Sequence, residues 1–331
     1  MRGLLAVVLL ATAAWTGYWW VGATAIENGV TQWFADHAEG DVSIAKSEVH
    51  GIPNRFDLTL TDLQVDRPEL GLRWQTPFAQ VYAMTWKPWH VIAALPTGQT
   101  INYQDQTLTL NSSRMRGDVI VHPSTTMPLQ EVVTESVDLE LISDAGWRLS
   151  LASLLASLRE DPTSANRYRI GLRLTDLTPD ASLNPILAEA GLPPRVDEAY
   201  LDAHATLSAP LDRTAAQTPP LLLELDLSEA RLSWAEMKFT AKGRITPDAQ
   251  GYAAGEIDLH LEGWQKLPPL LVALGVVQPN MQQPITGMMT GMAAQDGDPK
   301  GLDMKLVAKD GQMQLGPFPL GPAPLLAPLV N

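Results

Sequence analysis

The stretch Ile257-Asp258-Leu259-His260-Leu261 indicates the fold, because apolar and polar side chains alternate at every position. A β-strand places successive side chains on opposite faces, so this pattern gives one apolar and one solvated face. One-sided strands favour antiparallel pairing, since parallel sheets are usually covered on both faces. The Asp310-Gly311 pair predicts a hairpin between two such runs. The alternation recurs at residues 56–61, 137–141, 170–174, 302–306 and 313–315.

Three predicted strands are followed by apolar stripes with the i, i+3, i+4, i+7 spacing of a short amphipathic helix. The second and third stripes also have proline in the first turn and glycine at the end, as helices favour. The stripes are Leu151, Leu154, Leu155 and Leu158; Leu183, Ile186, Leu187 and Ala190; and Leu267, Leu270, Leu271 and Leu274. We therefore predict a β-rich α+β fold: an N-terminal transmembrane helix, then a curved, mainly antiparallel sheet of one-sided amphipathic strands with short helices on the apolar side.

The N-terminal segment from Leu4 to Ala23 contains no charged residue. As a helix, this run is long enough to cross a hydrocarbon core of about 30 Å. Because Arg2 is the only charged residue before it, the N-terminus should stay cytoplasmic and the bulk of the chain should lie in the periplasm, anchored by a single pass in the inner membrane. The predicted anchor residues are Arg2, Trp15, Tyr18, Trp19 and Trp20.

The alternative is a cleaved signal peptide and a soluble periplasmic protein, because Ala23-Thr24-Ala25 fits a small-residue cleavage site. Two features favour an uncleaved anchor. The apolar run is longer than the usual signal-peptide core, and a helical stripe continues past the site. That stripe comprises Ile26, Val30, Trp33, Phe34 and His37.

The predicted organisation has four parts. A signal-anchor helix at residues 1–23 precedes an amphipathic helix at 24–39. A first β-rich part follows at 40–165. A second occupies 166–331, with the strand–helix repeats and a tail rich in proline and glycine that should lie against the body.

Composition excludes several classes of function. The chain has no cysteine, so it has no disulfide or thiolate metal site, and its net charge of −14 argues against nucleic-acid binding. Its six histidines lack metal-site spacing, and nucleophile-elbow and phosphate-loop motifs are missing from the sequence. We expect neither a cofactor nor an enzyme. The alternative is a hydrolase that uses carboxylate pairs such as Asp57 with Asp62, or Asp176 with Asp180.

Two groups of side chains are candidates for a ligand or partner surface. Trp86 and Trp89 flank Lys87-Pro88 and suit a stacking platform for a sugar or a lipid headgroup, or else they anchor a loop in the core. Met288 and Met292 belong to a flexible apolar stripe that suits an irregular ligand, or else they fill gaps in the core.

Three stretches carry a family resemblance: GIPNRFDL at 51–58, WKPWHVI at 86–92, and DG at 310–311 leading to LGPFPLG at 315–321. In this order they resemble an uncharacterised bacterial family, mainly alphaproteobacterial, catalogued as domain of unknown function twenty-one twenty-five. The resemblance covers nearly the whole chain but implies no activity and no catalytic residues. In architecture alone, the chain is similar to AsmA-type envelope proteins, which hold lipids in grooves of curved sheets.

Two functions remain open. One is a membrane-anchored protein that binds or handles a phospholipid or another acyl lipid in an apolar groove, for envelope maintenance. The alternative is an envelope scaffold that recruits a protein partner, whose identity the sequence does not give, and takes no ligand. The number of one-sided strands, compared with the few helices that are able to cover them, favours lipid.

Overall fold

The computed structural model describes residues 2–36, 42–215, 217–296 and 300–326. It confirms the predicted fold class, with a long apolar N-terminal helix, extensive antiparallel sheet and short helices. The chain divides into two compact units. The first contains residues 1–123 and 132–146, and the second contains residues 124–131 and 147–331.

The first unit begins with a single continuous helix, α1 (Arg2–Asp36), of 35 residues. It contains both the apolar segment and the amphipathic segment that follows, up to Asp36; residues 37–39, with His37, lie outside the described residues. As predicted, Ile26, Val30 and Phe34 form its packed face. Trp33 is instead largely exposed, because it lies beside Phe34 on the edge of that face.

The strands of the first unit are β1 (Val42–Ser43), β2 (Lys46–His50), β3 (Arg55–Arg67), β4 (Leu72–Met84), β5 (Lys87–Leu95), β6 (Gln99–Tyr103), β7 (Gln106–Asn111), β8 (Arg114–Val121) and β9 (Leu129–Ser143), which runs from the second unit into the first. They pair antiparallel around a long central hairpin of β3 and β4. Strands β1 and β2 pair with β3, and strands β5 and β6 pair with β4. Strand β5 also pairs with β8, and β6 pairs with β7, which pairs in turn with β9. The helix α1 packs over Leu58, Leu60 and Ala79 of the central hairpin.

The second unit is an antiparallel meander in which each strand pairs with the next. Its strands are β10 (Arg148–Glu160), β11 (Arg167–Leu177), β12 (Val196–Leu207), β13 (Leu222–Trp234), β14 (Met237–Pro247), β15 (Ala253–Glu262), β16 (Gly301–Lys309), β17 (Gln312–Leu315) and β18 (Phe318–Pro322). Helix α2 (Asn184–Glu189) connects β11 to β12, and α3 (Leu267–Ala273) and α4 (Gln282–Asp296) connect β15 to β16. Asp310 and Gly311 form the β16–β17 hairpin turn, as predicted, and both have positive φ angles.

The helices agree with the sequence at two of three places. The stripes at 183–190 and 267–274 correspond to α2 and α3. The predicted helix at Leu151–Leu158 is wrong, because this segment is the middle of strand β10. Leu154 and Leu158 face Leu174 and Ile170 across the β10–β11 pair, so tertiary pairing overrides a pattern that fits both helix and strand.

Candidate functional site

One face of the second unit is apolar across eight neighbouring strands, and we call it the apolar face. The strand register places its side chains in rows that run from strand to strand. The first row, in order from β10 to β17, is Leu158, Ile170, Ala203, Leu227, Gly243, Ile257, Leu306 and Leu315. Strands are spaced about 4.8 Å apart, so this row extends for about 34 Å.

Two further rows flank the first on the side of the helices. The second row is Ala156, Leu172, Leu201, Ala230, Ala241, Leu259 and Met304. The third is Leu154, Leu174, Ala199, Leu232, Phe239, Leu261 and Leu302. Because side chains alternate across a strand, all three rows lie on the same face of the sheet.

The helices cover the apolar face along the third row. Leu187 of α2, Leu270 of α3 and Met289 of α4 form one buried cluster with Leu261 and Leu302 of the sheet. Leu302 is 0% exposed, which shows how tightly this end is closed. The predicted position of the short helices on the apolar side is therefore correct for α2 and α3.

The C-terminal tail covers the opposite end of the same face. Ala323 is buried with Ala253 and Ala308, and Leu326 packs against them. The backbone N–H of Ala253 donates to the carbonyl oxygen of Pro324 over 2.9 Å, and that of Leu326 donates to Gly251 over 2.9 Å. The tail therefore lies against the body as far as residue 326, and its continuation to Pro328 falls outside the described residues.

Between these two covers, the larger side chains of the first and second rows remain partly exposed, while Ala203 and Ala241 are buried. Leu227, Ile257, Leu259 and Leu306 all keep part of their surface accessible. Gly243 adds a gap with no side chain between Leu227 and Ile257. A Cβ atom at Gly243 would collide with the carbonyl oxygen of Glu256, and its φ of 156° also favours glycine. The middle of the apolar face is thus a partly exposed strip of aliphatic side chains.

The opposite face of these strands is charged, and many of its charges are paired. Arg169 donates two hydrogen bonds to Asp202, at 2.8 and 2.7 Å, and this pair lowers the pKa of Asp202. Arg231 pairs with Glu198 and stacks on the ring of Tyr200 at 4.9 Å. The polar residues that alternate with the apolar ones along each strand therefore lie on this face.

A hollow of about 750 Å³ lies among strands β13 to β16, and most of its lining side chains belong to this charged face. His260 contacts Asp303 at 2.7 Å, and Lys305 contacts Glu256 at 2.7 Å. Of the charged groups that line the hollow, Asp303 and Lys305 therefore already have partners.

The chain matches the model of a family described as an uncharacterized protein conserved in bacteria (DUF2125) over residues 19–324. The chain belongs to this family. No curated protein and no solved structure matches it. The family description contains no activity, so function must be argued from the geometry of the site.

The predicted ligand-surface residues fall in different units. Trp86 lies in the β4–β5 turn of the first unit and is 57% exposed, while Trp89 in β5 is partly buried. Met288 and Met292 lie on α4 in the second unit, and Met292 packs against the helical cluster. The apolar stripe of methionines thus belongs partly to the cover of the apolar face.

The predicted anchor residues all lie on α1, and three of them make hydrogen bonds to the strands and turns of the first unit. Trp15 donates to the carbonyl oxygen of Pro53 over 2.9 Å, Tyr18 to that of Thr85 over 2.8 Å, and Trp19 to that of Arg55 over 2.7 Å. Arg2 begins the helix, and Trp20 is exposed. These hydrogen bonds were not foreseen from the sequence, which pointed only to aromatic residues at an interface.

Three of the four carboxylates considered for catalysis make structural contacts. Asp57 pairs with Arg55 at 2.8 Å, and Asp176 pairs with Arg195 at 3.3 Å. Asp180 accepts hydrogen bonds from Ser182 and from the backbone N–H of Arg148, which lower its pKa to about 2. Within the described ranges, no group of three acidic or histidine side chains is placed to hold a metal ion.

Proposed function

We propose that this protein is held in the bacterial inner membrane by α1, and that the apolar face of its periplasmic second unit binds the acyl chain of a phospholipid or a similar lipid. The observation that carries the proposal is the first row of the apolar face. The row crosses eight strands between two covered ends, and its leucine and isoleucine side chains stay partly exposed, whereas Ala203 is buried. A contiguous accessible apolar surface is typical of a site that binds a ligand, a membrane or a protein.

The length of the partly exposed strip suits a hydrocarbon chain. It is about 34 Å long, from the spacing of its strands. One leaflet of a bilayer is about 15 Å thick, half of the hydrocarbon core, so one extended acyl chain fits along the strip. Because Gly243 has no side chain, the acyl chain is able to approach the protein backbone between Leu227 and Ile257.

Retention of α1 is supported by its contacts with the first unit. One described helix, residues 3–36, is long and apolar enough to cross a membrane, although a signal sequence passes the same test. Cleavage after Ala25 would remove the partners of the Pro53, Thr85 and Arg55 carbonyl groups. It would also uncover Phe56, which stacks with Trp19 at 6.3 Å. An anchored chain keeps these contacts and stays close to its lipid source.

A binding role, for envelope maintenance, fits the chain better than catalysis. Asp57, Asp176 and Asp180 are engaged by arginine side chains or backbone N–H groups, so they are not arranged as a free acid–base pair. A broad esterase and glycosidase screen of the purified chain should therefore show no turnover.

Native mass spectrometry of the full chain, purified in mild detergent, tests the proposal. We expect co-purified phospholipid that is lost from Leu259→Asp and retained by Lys242→Asp, since these residues lie on opposite faces of the β14–β15 pair. Thermal unfolding checks that both variants fold. A wild-type chain without lipid, or equal retention by both variants, would contradict lipid binding. If a specific protein co-purifies and no lipid does, the result would instead support the alternative function as an envelope scaffold.

A further inference from the structure

Two hairpin ends of the first unit lie beside the apolar segment of α1, and we call them the hairpin tips. They are residues 51–54, between β2 and β3, and residues 84–86, which comprise the last residue of β4 and the turn to β5. The hydrogen bonds from Trp15, Tyr18 and Trp19 reach the backbone at or next to both tips. Gly22 packs so closely on the ring of Phe56 that a Cβ atom there would lie 2.7 Å from it. The tips are therefore fixed to α1 at Trp15 through Gly22.

The position of these contacts along the helix sets the depth of the tips. A helix rises about 1.5 Å per residue, so Trp15 lies only about 16 Å beyond Leu4. A hydrocarbon core is about 30 Å thick, so the first contact with the tips occurs about halfway along the apolar segment. If α1 crosses the bilayer from a start near Leu4, the tips therefore lie below the periplasmic surface of the membrane.

The side chains at the tips suit that environment. Ile52 is 55% exposed and Trp86 is 57% exposed, although both are apolar. Each directly neighbours a residue that accepts a hydrogen bond from α1, Pro53 for Ile52 and Thr85 for Trp86, so apolar residues extend from the helix onto the sheet. Tryptophan is favoured at the level of the lipid headgroups.

Three backbone carbonyl groups at or next to the tips have hydrogen-bond partners. The carbonyl oxygens of Pro53, Arg55 and Thr85 accept hydrogen bonds from α1, which lowers the cost of placing them away from water. The guanidinium of Arg55 pairs with Asp57 at 2.8 Å, and its long side chain is able to extend toward the headgroups.

We propose that the two hairpin tips insert into the periplasmic leaflet of the bilayer, so that the first unit is fixed to the membrane by sheet as well as helix. The occupant of this surface is phospholipid, because the surface is continuous with the helix that crosses the bilayer. This inference rests on the anchoring part of the proposed function and is independent of lipid binding by the second unit.

The absence of cysteine from the chain allows a direct test. Single variants Ile52→Cys and Trp86→Cys of the full chain are labelled with the fluorophore NBD. They are then reconstituted into vesicles of phosphatidylethanolamine and phosphatidylglycerol. Leu70→Cys is the matched control, because Leu70 is 60% exposed and lies at the other end of the β3–β4 hairpin, about 40 Å away.

Insertion predicts a blue shift of NBD emission and quenching by doxyl-labelled lipid at positions 52 and 86, with neither effect at 70. If the chain stays in the membrane after carbonate extraction but NBD emission is water-like at all three positions, the tips do not insert. That result would overturn the insertion without contradicting the anchor or the lipid site. Release of the chain by carbonate would overturn the anchor and the insertion together. Disulfide crosslinking between unlabelled copies of the Ile52→Cys variant, with no lipid quenching, would show that the tips contact a second chain instead.

Discussion

The indole N–H of Trp19 donates to the carbonyl oxygen of Arg55 over 2.7 Å, and the Trp19 ring also stacks on Phe56. Both contacts join the apolar helix to the first strand of the central hairpin. The neighbouring residue Trp20 is 65% exposed, so the two adjacent tryptophans have different roles.

This difference predicts unequal costs of truncation. Trp19→Ala should lower the free energy of unfolding by about 2 kcal/mol, because it removes one hydrogen bond and one aromatic contact. Trp20→Ala should change it by less than about 0.5 kcal/mol in detergent, as expected for an exposed site. Denaturant unfolding of the full chain in micelles measures both values. Equal losses would contradict the docking of α1 through Trp19.

The close approach of β14 and β15 predicts a cost for a single methyl group. Gly243→Ala should destabilise the chain by about 2 kcal/mol or more, because the new Cβ atom would collide with Glu256 and Ile257. Gly287→Ala is the matched control, because a Cβ atom there on α4 would meet nothing within 4 Å beyond the adjacent residues and backbone of its own helix. Alanine in a helix should stabilise by about 0.5–1 kcal/mol. Thermal unfolding distinguishes the two variants, and a neutral Gly243→Ala would contradict the tight pairing.

The hydrogen bonds at Asp180 predict a dependence of stability on pH. The hydroxyl and backbone N–H groups of Ser182, then the backbone N–H of Arg148, hold the pKa of Asp180 at about 2, below its ordinary value of 3.8. Because the pKa is lower in the folded chain, the stabilisation is full above about pH 4 and is lost as pH falls toward 2.

The check compares melting temperatures of wild type and Asp180→Asn between pH 6 and pH 2. The difference between the two should be largest at pH 6 and should shrink below pH 4. Ser182→Ala should reduce the same pH dependence in part, since it removes only the hydroxyl contribution. A constant difference across the range would contradict the role of Asp180 at the start of the segment that leads into α2.

The alternating strands were predictable because their apolar residues recur with period two in short windows, as in Ile257–Leu261. Strand β10 was not, because Leu155 points to the exposed side and completes a helical stripe with Leu151, Leu154 and Leu158. Only the pairing register with β11 distinguishes a strand from a helix at residues 151–158, and this register depends on residues distant in sequence.

The candidate site was predictable in kind but not in extent. One-sided strands indicated an apolar face, yet its rows depend on the pairing of eight strands. The helix α4 was also missed: Gly287 and Gly291 weaken its helical signal, and Met289 is held by the packed cluster instead. The contacts of Trp15, Tyr18 and Trp19 join positions 36 to 67 residues apart, which no local pattern reveals.

The account depends most directly on whether lipid lies along the first row of the apolar face. The photoreactive residue p-benzoylphenylalanine, placed at Ile257 or at Lys242, reports contacts on the two opposite faces of the β14–β15 pair. Illumination of membranes that contain the full chain should crosslink phospholipid at position 257 and not at position 242. Crosslinking to protein alone at position 257, or equal lipid labelling at both positions, would contradict the account.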